Sequence, residues 1–145
     1  LINDFNLRLS PPIYYKKHNE RIRSVQIDHL LISRAGIFII ETKNWSKASV
    51  NTNNLRSPIK QIQRSNFALY IYISENISLN EHHWGEQTIP IRNLIVMINN
   101  KPTGRFKYVA VKLLKELNDY LKYFEPVLTQ SQLDKVIKKF KGSTH

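Results

Sequence analysis

The chain has no cysteine. That excludes a disulfide framework and any thiolate metal centre. Acidic residues are scarce: 11 against 22 lysines and arginines, for a net charge of +11 at pH 7. A phosphate polyanion is therefore the first partner to consider. No apolar run approaches the roughly 20 residues of a membrane-spanning helix, and no leader peptide is visible at the N-terminus. The four glycines form no phosphate-cradling loop, and no Walker motif, internal repeat or Ser-His-Asp order is found. The 145 residues read as a single domain, 1–145, large enough for a real core, with 142–145 as a tail. A cytoplasmic location with no membrane attachment is the expectation.

The informative stretch runs from Gln26 to Trp45, Q-I-D-H-L-L-I-S-R-A-G-I-F-I-I-E-T-K-N-W. Two apolar runs, Leu30 to Ile32 and Ile37 to Ile40, flank a break at Ser33-Arg34-Ala35-Gly36. β-branched residues around a Gly-containing break predict a β-hairpin. With Arg34-Ala35 as the turn, Asp28 stands opposite Glu41, and Lys43 shares their face. A turn at Ala35-Gly36 puts Asp28 opposite Lys43 and keeps all three together. A plain three-residue loop separates Asp28 from the other two unless a bulge restores the phase. In the favourable registers Gln26, Asp28, Leu30 and Ile32 share a face with Ile37, Ile39, Glu41 and Lys43. Ile27, Leu31, Phe38 and Ile40 take the other. Both faces call for burial, so these are central strands of a covered sheet.

Two carboxylates on neighbouring strands repel, the more so when partly buried. A divalent cation relieves the repulsion, and oxygen ligands of this kind suit Mg²⁺ or Mn²⁺. Lys43 then holds an attacking water or offsets charge on a phosphate. The competing reading is a plain ion pair of Lys43 with Glu41 or Asp28, without metal.

Asp28 followed by Glu41-Thr42-Lys43 resembles the D…E-x-K signature of the PD-(D/E)XK nuclease superfamily. Gln26-Ile27-Asp28-His29, Gly36 through Asn44, and Pro58 with Gln61 resemble one branch of it, the nuclease-related domain (NERD). The similarity is strong over 25–45, moderate over 57–70, and only a matter of pattern beyond. It implies an α/β fold, a central mixed β-sheet flanked by helices with a restriction-endonuclease-like core. It also implies a Mg²⁺-dependent DNA nuclease with Asp28 and Glu41 as metal ligands and Lys43 as the catalytic lysine. Gln26 and Gln61 would bind water or phosphate. DNA is the expected partner, with no small-molecule cofactor beyond the metal. Dimerisation stays open, since some superfamily nucleases pair to cut both strands. The alternative is a non-catalytic nucleic-acid-binding module that keeps the nuclease fold. Superfamily members often carry a further acidic residue on a helix before the first strand. This chain opens at Leu1 directly in a strand-like stretch, so that helix is expected to be missing or trimmed away, and no further acidic residue is assigned.

The rest of the chain supplies the supports. Leu1 to Leu9 alternates as a strand, ended by Ser10-Pro11-Pro12. Tyr14 to Arg23 reads as a basic loop, with Lys16, Lys17, Arg21 and Arg23 as phosphate contacts or as a solvated connection. Ser46 to Ser57 reads as a loop, with a short sheet extension at 48–50. A helix starts at Ser57-Pro58, with an apolar stripe of Ile59, Ile62, Phe67, Tyr70 and Ile73. Gln61 and Arg64 share one of its faces, and Arg64 joins the candidate nucleic-acid contacts. Residues 74–90 read as a polar connection, and the adjacent His82 and His83 find no further ligand at zinc spacing. Ile91 to Ile98 is a buried strand, 99–104 a turn, and Lys107 to Val111 a short edge strand. A helix over Val111 to Phe124 and a last one behind the T-x-x-Q capping box at Thr129 to Gln132 close the chain.

Overall fold

Alternating apolar residues and one continuous apolar run assemble five strands: β1 Ile2–Tyr15, β2 Glu20–Ser33, β3 Gly36–Lys43, β4 Ile91–Met97 and β5 Ala110–Leu113. Their order in the sheet is β1-β2-β3-β4-β5. The first two pairings are antiparallel and the last two parallel, so the sheet is mixed. Helices α1 Arg56–Asn76, α2 Leu117–Lys122 and α3 Gln130–Gly142 flank it. The computed structural model describes residues 1–46, 56–79, 88–102 and 106–142, Arg56 by its backbone alone. The expected sheet extension at 48–50, the His82-His83 pair and part of the 99–104 turn lie outside the described residues.

The hairpin takes the first of the three registers. Ser33 faces Gly36 and Leu30 faces Ile39, with Arg34-Ala35 as the turn. Ser33 Oγ pins that turn, accepting from the Ala35 N–H and donating to the Gly36 carbonyl, both at 3.1 Å. Gly36 has φ +121°, and a Cβ there would meet the Pro90 carbonyl oxygen at 2.6 Å. Only glycine fits this close approach, which lets the Ile37 N–H reach Pro90 O at 2.8 Å and start the parallel pairing with β4. The Arg34 carbonyl accepts from both Val127 and Leu128 N–H at 2.8 Å, so the segment before α3 docks on the same turn.

Gly36 through Ile40 are all buried, as strands covered on both faces must be. One core cluster joins Leu30, Ile37, Ile39, Ile95 and Met97 to Ile62 and Leu69 of α1 and Val136 and Phe140 of α3. The other joins Phe38, Ile40, Leu94 and Val96 to Leu117, Tyr120, Leu121 and Phe124. The expected capping box is present: Gln132 N–H donates to Thr129 Oγ1 at 3.1 Å, and Thr129 N–H to Gln132 Oε1 at 2.9 Å.

Several expectations need correction. β1 does not end at Ser10-Pro11-Pro12. It slips register between Arg8 and Ile13 and pairs on to Tyr15, which the prolines tolerate because β1 is an edge strand. Residues 14–23 are therefore no loop but a hairpin tip, a 3-10 turn at Lys16–His18 that leads straight into β2. Tyr70 leaves the stripe on α1, being 52% exposed, while Ala68 and Leu69 are buried. Val111 to Phe124 is not one helix. The edge strand β5 starts at Ala110 rather than Lys107 and takes in Val111 to Leu113, and a 3-10 turn at Leu114–Glu116 separates it from the short α2. Ile27 joins the first core cluster rather than the opposite face.

Candidate active site

The carboxylate pair is built where the long strand β2 changes phase. Ile27 and Leu30 are both fully buried in one cluster although three residues apart, which strict alternation forbids. The β1–β2 ladder opens at the same level: Asn3 pairs with His29 and Phe5 with Ile27, while Asp4 between them takes φ +52°. The register is the same on both sides of this gap, so the ladder is interrupted at Asp4 and Asp28 without a slip.

One step beyond the last β2–β3 pair, His29 with Ile40, lies Asp28 across from Glu41. Their carboxyl groups are hydrogen-bonded to each other. Asp28 Oδ2 also accepts from the Thr42 backbone N–H at 3.4 Å. Burial first, then the hydrogen bond and charge of Asp28, push the Glu41 carboxyl up to about 7. The Asp28 backbone N–H and the Lys43 ammonium act the other way. Glu41, Thr42 and Lys43 are each half-buried. β4 holds the end of this strand, because Ile98 N–H donates to Lys43 O at 2.9 Å and Asn99 Nδ2 to Asn44 Oδ1 at 2.9 Å.

The other anticipated residues are placed as follows. Gln26 is exposed, between the buried Val25 and Ile27. Gln61 is exposed on α1. Lys16 and Lys17 are exposed in the hairpin-tip turn, where Lys17 Nζ donates to Gln63 Oε1 at 3.1 Å. Arg21 and Arg23 are exposed on β2. Arg64 is engaged within the fold: its Nε lies 2.9 and 3.1 Å from the two Glu20 carboxylate oxygens, and its Nη2 lies 2.8 Å from Oε1. That guanidinium holds the Glu20 carboxyl below the usual range. Sequence reasoning missed the Thr42 N–H, because a backbone donor carries no residue signature.

The donor set fits a hard divalent cation. Both side chains are oxygen ligands, half-buried and mutually repulsive once ionised. Among the described residues no group of three or more His, Cys, Asp or Glu side chains converges, and Mg²⁺ commonly takes one or two carboxylates and completes its shell with water and phosphate. No helix among the described residues is long and apolar enough to cross a membrane.

A mixed sheet between helices, with a carboxylate pair and a lysine at one end of its central strands, is a nuclease-like α/β core. The nuclease-related domain (NERD) family profile matches residues 2–98, and the chain belongs to that family. Comparison with curated proteins and with solved structures finds no match.

Proposed function

We propose that this domain is a metal-dependent deoxyribonuclease that hydrolyses phosphodiester bonds. The observation that carries the reading is the hydrogen-bonded Asp28–Glu41 pair with Lys43 on the same strand face. Asp28 and Glu41 would hold Mg²⁺, with Mn²⁺ as the natural substitute, through carboxylate oxygens. When bound, the ion would supply Lewis acidity toward the scissile phosphate and lower the pKa of a water. The Lys43 ammonium would orient the attacking water and offset negative charge that develops on the phosphate. Thr42 N–H keeps Asp28 aimed at the site. Gln61 sits on α1 as a water or phosphate ligand.

The test is incubation of supercoiled plasmid with Mg²⁺, Mn²⁺ or EDTA, for the wild-type chain and for Asp28→Ala and Lys43→Ala. Nicking that requires metal and is lost in both variants supports the enzyme. Loss of the Lys43 ammonium is expected to slow cleavage by about 10²–10³-fold, as for other single charge-stabilising donors. Salt-sensitive DNA binding with no cleavage in either metal would instead make the chain a binding module.

A further inference from the structure

β5 is four residues long and pairs with β4 only from Leu94 onward. The first three residues of β4, Ile91 to Asn93, are therefore not covered by β5, and a cleft of about 650 Å³ opens over them. The hairpin tip, α1, Tyr108 and α2 wall it. Glu41 is level with Ile95 on the neighbouring strand, so the middle of the cleft, at Arg92, lies about 10 Å along the sheet from the carboxylate pair.

Its lining combines flat aromatic rings, amides and cations. Gln63, Asn66 and Tyr70 follow at intervals of three and four residues on α1, so they share one face. Tyr70 is 52% exposed and stacks on no other ring among the described residues. Tyr108 is 73% exposed, with the Lys107 ammonium 5.2 Å from its ring centroid. Asn66 donates through Nδ2 to Asn93 Oδ1 at 2.9 Å, which leaves its Oδ1 as an acceptor. Gln63 accepts from Lys17 through Oε1, which leaves its Nε2 as a donor. Arg92 reaches the cleft with its guanidinium 4.1 Å from the Phe124 ring centroid.

We propose that this cleft takes a nucleobase of single-stranded nucleic acid, stacked on Tyr70 and Tyr108 and met at its edge by Gln63 and Asn66. Exposed rings beside cations are what a stacking platform needs, since every base presents a π-face and every linkage a negative charge. An adjacent donor and acceptor match the edge of a base. The choice of nucleic acid over another planar anion rests on the nuclease reading above, and the cleft deepens it by naming the strand form. A single strand held there has bases free to leave the stack; a duplex does not.

The experiment measures anisotropy of three labelled 12-mers in EDTA, so that no cleavage intervenes: a single strand, the same backbone with abasic sites, and the duplex. The single strand is expected to bind roughly ten- to a hundredfold tighter than its abasic counterpart, the range that base stacking gives. Tyr70→Ala and Tyr108→Ala are expected to erase most of that difference, and Tyr70→Phe to keep it. Both rings are exposed, and circular dichroism checks that the variants fold. Equal affinity for the abasic and normal strands, or a preference for duplex, would overturn the proposal. So would Tyr70→Ala and Tyr108→Ala both binding like wild type. The two readings fail separately: base-dependent binding without nicking sinks the nuclease alone, and nicking without base dependence sinks the cleft alone.

Discussion

Glu41 is held in its protonated form more strongly than an ordinary glutamate, because burial and Asp28 both disfavour its charge. Its folded value of about 7 lies above the ordinary 4.5. A raised carboxyl contributes stability that is fully present below the unfolded value and is lost as pH rises through the folded one. In EDTA the wild-type chain should therefore lose stability, relative to Glu41→Gln, between about pH 4.5 and 7. The expected difference is on the order of 1 kcal/mol, since the half-exposed carboxyl is screened by solvent. Urea unfolding of both proteins at pH 4.5, 6 and 8 measures it, and parallel pH profiles would refute the coupling. The pair itself was legible from residue types and strand arithmetic. The gap in the β1–β2 ladder at Asp28 was not, because residue types give no sign of the positive φ of Asp4 across from it.

At the scale of elements, the hairpin was readable because its turn, its apolar runs and its polar end agree with one another. β5 and α2 were not, since Val111, Leu113, Leu114 and Leu117 suit a strand as well as a helix, and only the β4 partner decides. Two substitutions probe how the elements are held. Gly36→Ala places a methyl 2.6 Å from a backbone oxygen at φ +121°. It should cost about 2 kcal/mol or more, through strain and overlap together. It should also weaken cleavage, because the Pro90 contact it disturbs sets the pairing of β4 with the strand that carries Glu41 and Lys43. Thr129→Ala removes one half of the capping box on α3 and should cost about 1 kcal/mol with activity unchanged. Urea midpoints at constant m-value, read beside plasmid nicking, separate the two cases.

For the whole molecule, the charge of +11 is not spread as composition alone suggests. Arg64 is paired with Glu20, and Lys101 with Glu116 at 2.8 Å. Neither pairing could be read from spacing, because both join elements that only the fold brings together. Lys16, Arg21 and Arg23 stand exposed on the hairpin tip, outside these pairs. Phosphates neutralised by such groups release counterions, so affinity falls with salt at a slope of about −0.7 per contact on single strands and −0.9 on duplex. Replacing all three with alanine should flatten that slope by about 2 on a single strand and about 3 on duplex, if each meets one phosphate. Arg64→Ala should leave the slope unchanged and cost at most about 1 kcal/mol of stability, the worth of a half-exposed pair. Anisotropy titrations from 50 to 200 mM salt decide between these. An unchanged slope in the triple variant would assign the hairpin tip to solvent and move the nucleic-acid path to another face.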